Sequence, residues 1–133
     1  MIDVEKEVYT PIAQAIRSQY EGASVEQEYV RKPSAFPHVT IIETDNYTTV
    51  RNQDTSRTEK YSTIMYEVNV YSNLHSGKKT QCRSIMSLID DMMAERNFTR
   101  ISMTPVPNME DSTIYRITAR YRANTDGTRM FRI

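Results

Sequence analysis

The chain has 133 residues, of which 38% are apolar and 26% charged, the size and balance of a single folded domain spanning residues 1–133. Seventeen basic and seventeen acidic residues leave no net charge, which argues against affinity built on neutralising nucleic-acid phosphates. Cys82 is the only cysteine and excludes an internal disulfide, and the longest apolar runs, such as Val39 to Ile42, fall far short of the ~18 residues of a membrane span.

The opening Met-Ile-Asp-Val-Glu shows no basic-then-apolar pattern of a secretory leader, and the lone cysteine fits a chain made in reducing cytosol. Charge is unevenly distributed. Residues 1–45 hold eight acids and four bases, residues 46–95 six of each, and residues 96–133 three acids and seven bases. Ends of opposite sign on a neutral chain suit head-to-tail self-association.

Val4, Val8, Ile12, Ala15 and Ile16 recur at helical spacing and predict a first helix from about Asp3 to Gln19. Pro11 removes one backbone donor within it, so a kink or restart is expected near Thr10. Gly22 stands where a helix stops, and Ser24 to Val30 reads as a short strand. Pro33 and Pro37 bracket an extended or turn segment before an apolar strand over Val39 to Thr44.

From Asp45 to Lys60 the chain is polar and rich in threonine, with Tyr47 and Val50 standing out. The β-propensity of Tyr47-Thr48-Thr49-Val50 predicts a polar hairpin arm looping near Asn52 to Ser56, with little core of its own to pack on. Such an arm needs a partner surface.

The alternation over Tyr61 to Tyr71 predicts a central strand, with Ile64, Tyr66, Val68 and Val70 on one face and Met65, Glu67, Asn69 and Tyr71 on the other. Across Lys78 to Arg96, Cys82, Ile85, Met86, Ile89, Met92 and Met93 form a helical stripe that reads as core filling rather than as an adaptable binding surface. Asn97 is placed to cap that helix. A strand over Phe98 to Val106 follows, ended by Pro105-Val106-Pro107-Asn108. Thr113 to Ala123 forms the next strand, with Tyr115, Ile117, Ala119 and Tyr121 opposite Arg116, Thr118, Arg120 and Arg122. Asp126-Gly127 is a two-residue turn signal leading to a last strand over Thr128 to Ile133. The sum is an α+β fold: a mainly antiparallel sheet, two helices packed on it, and an extended polar hairpin arm.

No catalytic constellation is visible. His38 and His75 lack companions at metal-ligand spacing, and the three glycines leave no phosphate-cradling loop. Asp90 and Asp91, adjacent on a helix, point about 100° apart and read as a solvated face rather than an acid–base pair. Cys82 lies on the buried stripe, where an apolar setting leaves a thiol inert. Neither an enzyme nor a cofactor is expected. Arg116, Arg120 and Arg122 form the strongest candidate patch, since alternate strand residues point the same way about 6.5–7 Å apart. Such a row meets phosphates or a neighbouring subunit's carboxylates, or simply marks an exposed sheet face. Tyr9, Tyr20 and Tyr29 are candidate stacking faces should the partner be single-stranded nucleic acid.

The order of segments resembles one family. Phe36-Pro37-His38-Val39-Thr40-Ile41-Ile42-Glu43, Tyr66-Glu67-Val68-Asn69-Val70-Tyr71-Ser72-Asn73, and Gly77-Lys78-Lys79 with the helix ending in Ile89-Asp90-Asp91-Met92-Met93 are similar to segments of the tail-terminator, or tail-completion, proteins of long-tailed bacteriophages. Phe98-Thr99-Arg100, Pro105-Val106-Pro107-Asn108 and Ile114-Tyr115-Arg116-Ile117-Thr118-Ala119-Arg120-Tyr121 complete the likeness, which spans about residues 2–133. The resemblance implies a virion protein without an active site, forming a homohexameric ring on the head-proximal end of the tail tube. Such a ring stops tube growth, offers the surface for the head–tail connector, and lets DNA pass through its lumen without sequence-specific binding. With the arm and the arginine-rich end of the chain, this makes Tyr47, Val50, Arg51, Arg57, Arg116, Arg120, Arg122, Arg129 and Arg132 the expected interface residues toward a neighbouring subunit or the tube. A head-completion or neck connector protein of the same virion, and more distantly a single-stranded nucleic-acid binding module, are the alternative readings.

Overall fold

In the computed structural model, residues 1–30, 33, 35–48, 61–107, 111–127 and 130–131 are described. They form helix α1 (Glu5–Gln19), strands β1 (Ser24–Glu26), β2 (His38–Thr48) and β3 (Ser62–Ser72), helix α2 (Lys78–Glu95), and strands β4 (Thr99–Pro105), β5 (Tyr115–Thr125) and β6 (Met130–Phe131). One sheet runs in the order β1-β2-β3-β5-β4, with β6 also on β5. Only β1 pairs in parallel, with β2; the other pairings are antiparallel. This is the expected α+β class.

Strict alternation makes β3 the centre of the fold. Ile64, Tyr66, Val68 and Val70 are fully buried together with Val39 and Ile41 of β2, and with Ile117, Ala119 and Tyr121 of β5. Against that face, in one continuous core, pack Val8, Ile12 and Ile16 of α1 and Cys82, Ile85, Met86, Ile89 and Met93 of α2. The methionine stripe is therefore core, as its spacing predicts. Tyr66 meets Phe98 edge-on at 5.6 Å between ring centroids, a favoured aromatic geometry.

The end of α2 shows how its sequence stops a helix. Asn97 takes a positive φ of 64°, its N–H reaches Ala94 O, and the Phe98 N–H reaches Met93 O at 3.0 Å. That pair of bonds is a Schellman cap. It turns Phe98 into the core immediately before β4.

Several boundaries differ from expectation. Helix α1 passes through Pro11 without a break, because Val8 and Ile12 anchor both sides of it in the core. Strand β1 ends at Glu26 rather than Val30: only Val25 of this stretch enters the core, and Glu26 to Val30 are exposed. A bulge between Glu43 and Asp45 carries β2 beyond Thr44 and shifts its phase, so Asp45 pairs with Met65 and Tyr47 with Thr63. The base of the expected arm is thus β-hairpin up to the Thr48–Ser62 pair, while residues 49–60 lie outside the described residues. Thr125 pairs with Met130, so Asp126-Gly127 opens a four-residue connection instead of forming a two-residue turn. The Gly127 N–H bonds to Thr125 Oγ1 at 3.0 Å and its φ is 92°, which suits glycine.

Candidate functional site

The helices occupy one face of the sheet, and the other face carries the arginine row. Strand registry arranges this second face in layers: His38–Tyr71–Arg116, Thr40–Asn69–Thr118, Ile42–Glu67–Arg120, Asp45–Met65–Arg122 and Tyr47–Thr63–Asn124. Arg116, Arg120 and Arg122 share this face, as their alternation predicts. Tyr47 belongs to it through the bulge in β2 and is 46% exposed. Val50, Arg51, Arg57, Arg129 and Arg132 lie outside the described residues.

The three arginines are held in different ways. Asn69 is fully buried in mid-sheet, and its Oδ1 accepts from Arg116 Nε at 3.0 Å, Arg116 Nη2 at 2.8 Å and Thr118 Oγ1 at 2.6 Å. Its Nδ2 donates to Thr40 Oγ1 at 3.2 Å. The Arg116 guanidinium also lies 5.4 Å from the centroid of the Tyr71 ring, within cation–π range. Arg120 pairs with Glu67, Nη2 to Oε1 at 3.2 Å, and the Tyr29 hydroxyl donates to the other oxygen of that carboxylate. Arg122 has a buried Nε without a hydrogen-bond partner among the described residues.

Tyr29, just after β1, thus reaches across β2 to β3 on the arginine face. Tyr9 and Tyr20 do not join it. The Tyr9 hydroxyl donates to Val25 O at 2.9 Å, and that of Tyr20 shares a 2.6 Å hydrogen bond with Ser84 on α2, so the three tyrosines form no common stacking surface.

Asp90 corrects the reading of a solvated acidic pair. It accepts from the Tyr121 hydroxyl at 2.9 Å and lies 3.3 Å from Arg100, fastening α2 to β5 and β4, whereas Asp91 is exposed. Burial, and then the Asp90 carboxylate, push the Tyr121 hydroxyl well above the usual phenol range. Cys82 is buried with its thiol pushed up to about 12 by desolvation, in line with the inert role expected of it. On the helix side, burial and the nearby Glu5 and Asp3 push the Glu43 carboxyl up, partly offset by hydrogen bonds from Tyr66 and Asn46.

His38 is 1% exposed, neither ring nitrogen has a partner among the described residues, and its ring lies 5.7 Å from that of Tyr71. Desolvation lowers its pKa below 6.5, and Glu26 opposes this only in part. The neutral ring therefore suits the fold, while the unfolded chain takes up a proton below pH 6.5. Its contribution to stability is whole above that pH and is lost as pH falls toward the folded value. The urea midpoint of the protein is expected to fall between pH 7 and pH 5 more steeply than that of His38→Phe, which fills the same space without titrating. Parallel curves would contradict the buried neutral assignment.

Asn69, Glu67, Thr40 and Thr118 are the members of this face that carry no special signal in composition. One clue was present: asparagine and glutamate at alternate positions of an otherwise apolar strand, where neither residue favours β structure. Their partners are distant in sequence, so pairing had to come from registry. Among the described residues, no group of three His, Cys, Asp or Glu side chains is placed to hold a metal ion, and no helix is long and apolar enough to cross a membrane. Chemically, the face offers oriented guanidinium groups and hydroxyls, which suit carboxylates or phosphates on a partner. In comparisons with known proteins, no family model matches the chain and no curated protein matches it significantly.

Proposed function

We propose that the protein is a structural ring subunit of the tail-terminator type, capping the head-proximal end of a phage tail tube, halting its growth and presenting the joining surface for the head connector. The observation that carries this reading is where the resembling segments fall. The stretch ending at Glu43 enters β2, Tyr66 to Asn73 covers the end of β3, Lys78 to Met93 makes up most of α2, and Ile114 to Tyr121 opens β5. Segments whose order suggested the family are thus strands and a helix that build the core.

Two further features favour assembly. The chain is neutral with an acidic beginning and a basic end, which suits heterologous contacts that close into a ring. The β2–β3 hairpin also runs up to the Thr48–Ser62 pair, and the sequence between these two residues is polar, as an arm that seeks a partner surface requires.

Replacing residues 49–61 with Asn-Gly would close the hairpin directly after the Thr48–Ser62 pair with a turn suited to two-residue loops. This variant is expected to keep the thermal midpoint of the parent within about 3 °C, because it leaves the core untouched. By light scattering it should remain a monomer of about 14 kDa, below the parent's 15.5 kDa, at concentrations where the parent forms hexamers. Unchanged assembly would remove the arm from the interface.

A further inference from the structure

Of the three arginines on the face away from the helices, Arg120 already has its carboxylate in Glu67. Arg116 has none among the described residues, yet it is the most firmly oriented of the three. Two of its nitrogens are fixed on Asn69 Oδ1, and its guanidinium lies against the Tyr71 ring. Asn69 is in turn braced by Thr40 and Thr118. A fully buried asparagine in the central strand is costly unless all its bonds are made, and here its acceptor is committed to aiming a cation. Among the described residues the Nη1 amino group has no hydrogen-bond partner. Arg116 thus has the form of a binding group oriented by supporting residues before its ligand arrives.

We propose that Arg116 is a preset receptor for a carboxylate on a second copy of the chain, and that Asn69, Thr40, Thr118 and Tyr71 are its positioning residues. The inference rests on the reading that the protein self-assembles. Charge identifies the occupant: residues 1–45 carry eight acids against four bases, and Glu7, Glu21, Glu26 and Glu28 among them are exposed. A neutral chain with this asymmetry offers its own acidic end as the complement of a fixed guanidinium. A guanidinium with one edge committed still presents its remaining N–H groups to a carboxylate oxygen, and lysine lacks that fork.

Light scattering over a concentration series tests the assignment. Arg116→Gln should retain the fold by circular dichroism and weaken self-association about tenfold or more. Arg116→Lys keeps the positive charge and serves as the second variant should the glutamine substitution disturb folding; it should recover only part of the affinity. Arg116→Glu should abolish association, and combining it with one of Glu7→Lys, Glu21→Lys, Glu26→Lys or Glu28→Lys in the same chain should restore it. Restoration by none of the four overturns the proposal. Wild-type assembly unchanged by Arg116→Gln or Arg116→Lys overturns the receptor role and leaves the ring reading intact. A wild type monomeric at every concentration and on tube ends overturns both. Loss of binding to a single-stranded DNA oligonucleotide by Arg116→Gln, with assembly unaffected, would assign the residue to phosphate instead.

Discussion

Tyr66→Ala is expected to cost about 3–5 kcal/mol, the usual range for deleting a large buried aromatic side chain. In a domain of this size that is a fall in thermal midpoint on the order of 10 °C or more. Tyr66 is fully buried on the central strand, and its ring packs against Phe98, the residue that the α2 cap turns inward. Removing it opens a cavity where β3, α2 and the start of β4 meet, and the braced sheet cannot collapse to fill that space. Tyr66→Phe separates the ring from the hydroxyl. The hydroxyl's bond to Glu43 Oε1 is long, at 3.4 Å, so its loss should cost about 1 kcal/mol or less. Urea denaturation of the two variants reads the contrast directly. An alanine variant within about 1 kcal/mol of wild type would contradict the placement of Tyr66 at the centre of the core.

Asn69→Leu should show the second large effect, about 2–4 kcal/mol, although leucine is the more apolar side chain for a buried strand position. Two opposing contributions decide the sign. Burying leucine in place of asparagine favours the fold by an amount set by apolar area, roughly 1–2 kcal/mol if the side chain fits. Against this, Thr118 Oγ1, Thr40 Oγ1 and two nitrogens of Arg116 lose their common partner, and each unsatisfied buried group costs about 1–3 kcal/mol, with more for a charged one. Arg116 is only half-buried and recovers part of its loss from water, which keeps the sum below the simple total. The denaturant midpoint measures the outcome, and Thr118→Val, which removes one hydroxyl only, should cost about 1 kcal/mol. A neutral or stabilising Asn69→Leu would mean that the polar layer merely fills space. The proposed role of Arg116 would then lose its structural foundation.

Local pattern made much of the fold legible. The alternation in β3 and β5 assigned both faces of each strand correctly, and the three- and four-residue spacing of Cys82, Ile85, Met86, Ile89 and Met93 located the buried stripe of α2. Asn97 was legible as a cap because few residues besides glycine accept a positive φ. What stayed hidden depends on partners remote in sequence. The extension of β2 past Thr44 requires a bulge that re-aims Asp45 and Tyr47, and only pairing with β3 stabilises it. Asp90 read as solvent-facing because Tyr121 and Arg100 come to it from two later strands.

The same limit applies to the candidate site. That Arg116, Arg120 and Arg122 share a face follows from a two-residue period, and so was visible in the sequence. Their unequal condition was not, because Glu67 and Asn69 reach β5 only through the β3–β5 register. Among the described residues, side chains that looked like a uniform cationic row prove to be one neutralised arginine, one oriented without a carboxylate, and one with a buried, unpartnered Nε.

The proposed role is to close the end of a tail tube as a ring. Adding it to purified tail tubes and imaging them by negative-stain electron microscopy tests this most directly. The expected result is a ring seated at one end of each tube and no further elongation when tube subunits are supplied. Tubes that stay uncapped and continue to grow, with the protein instead bound to DNA-filled heads, would contradict it.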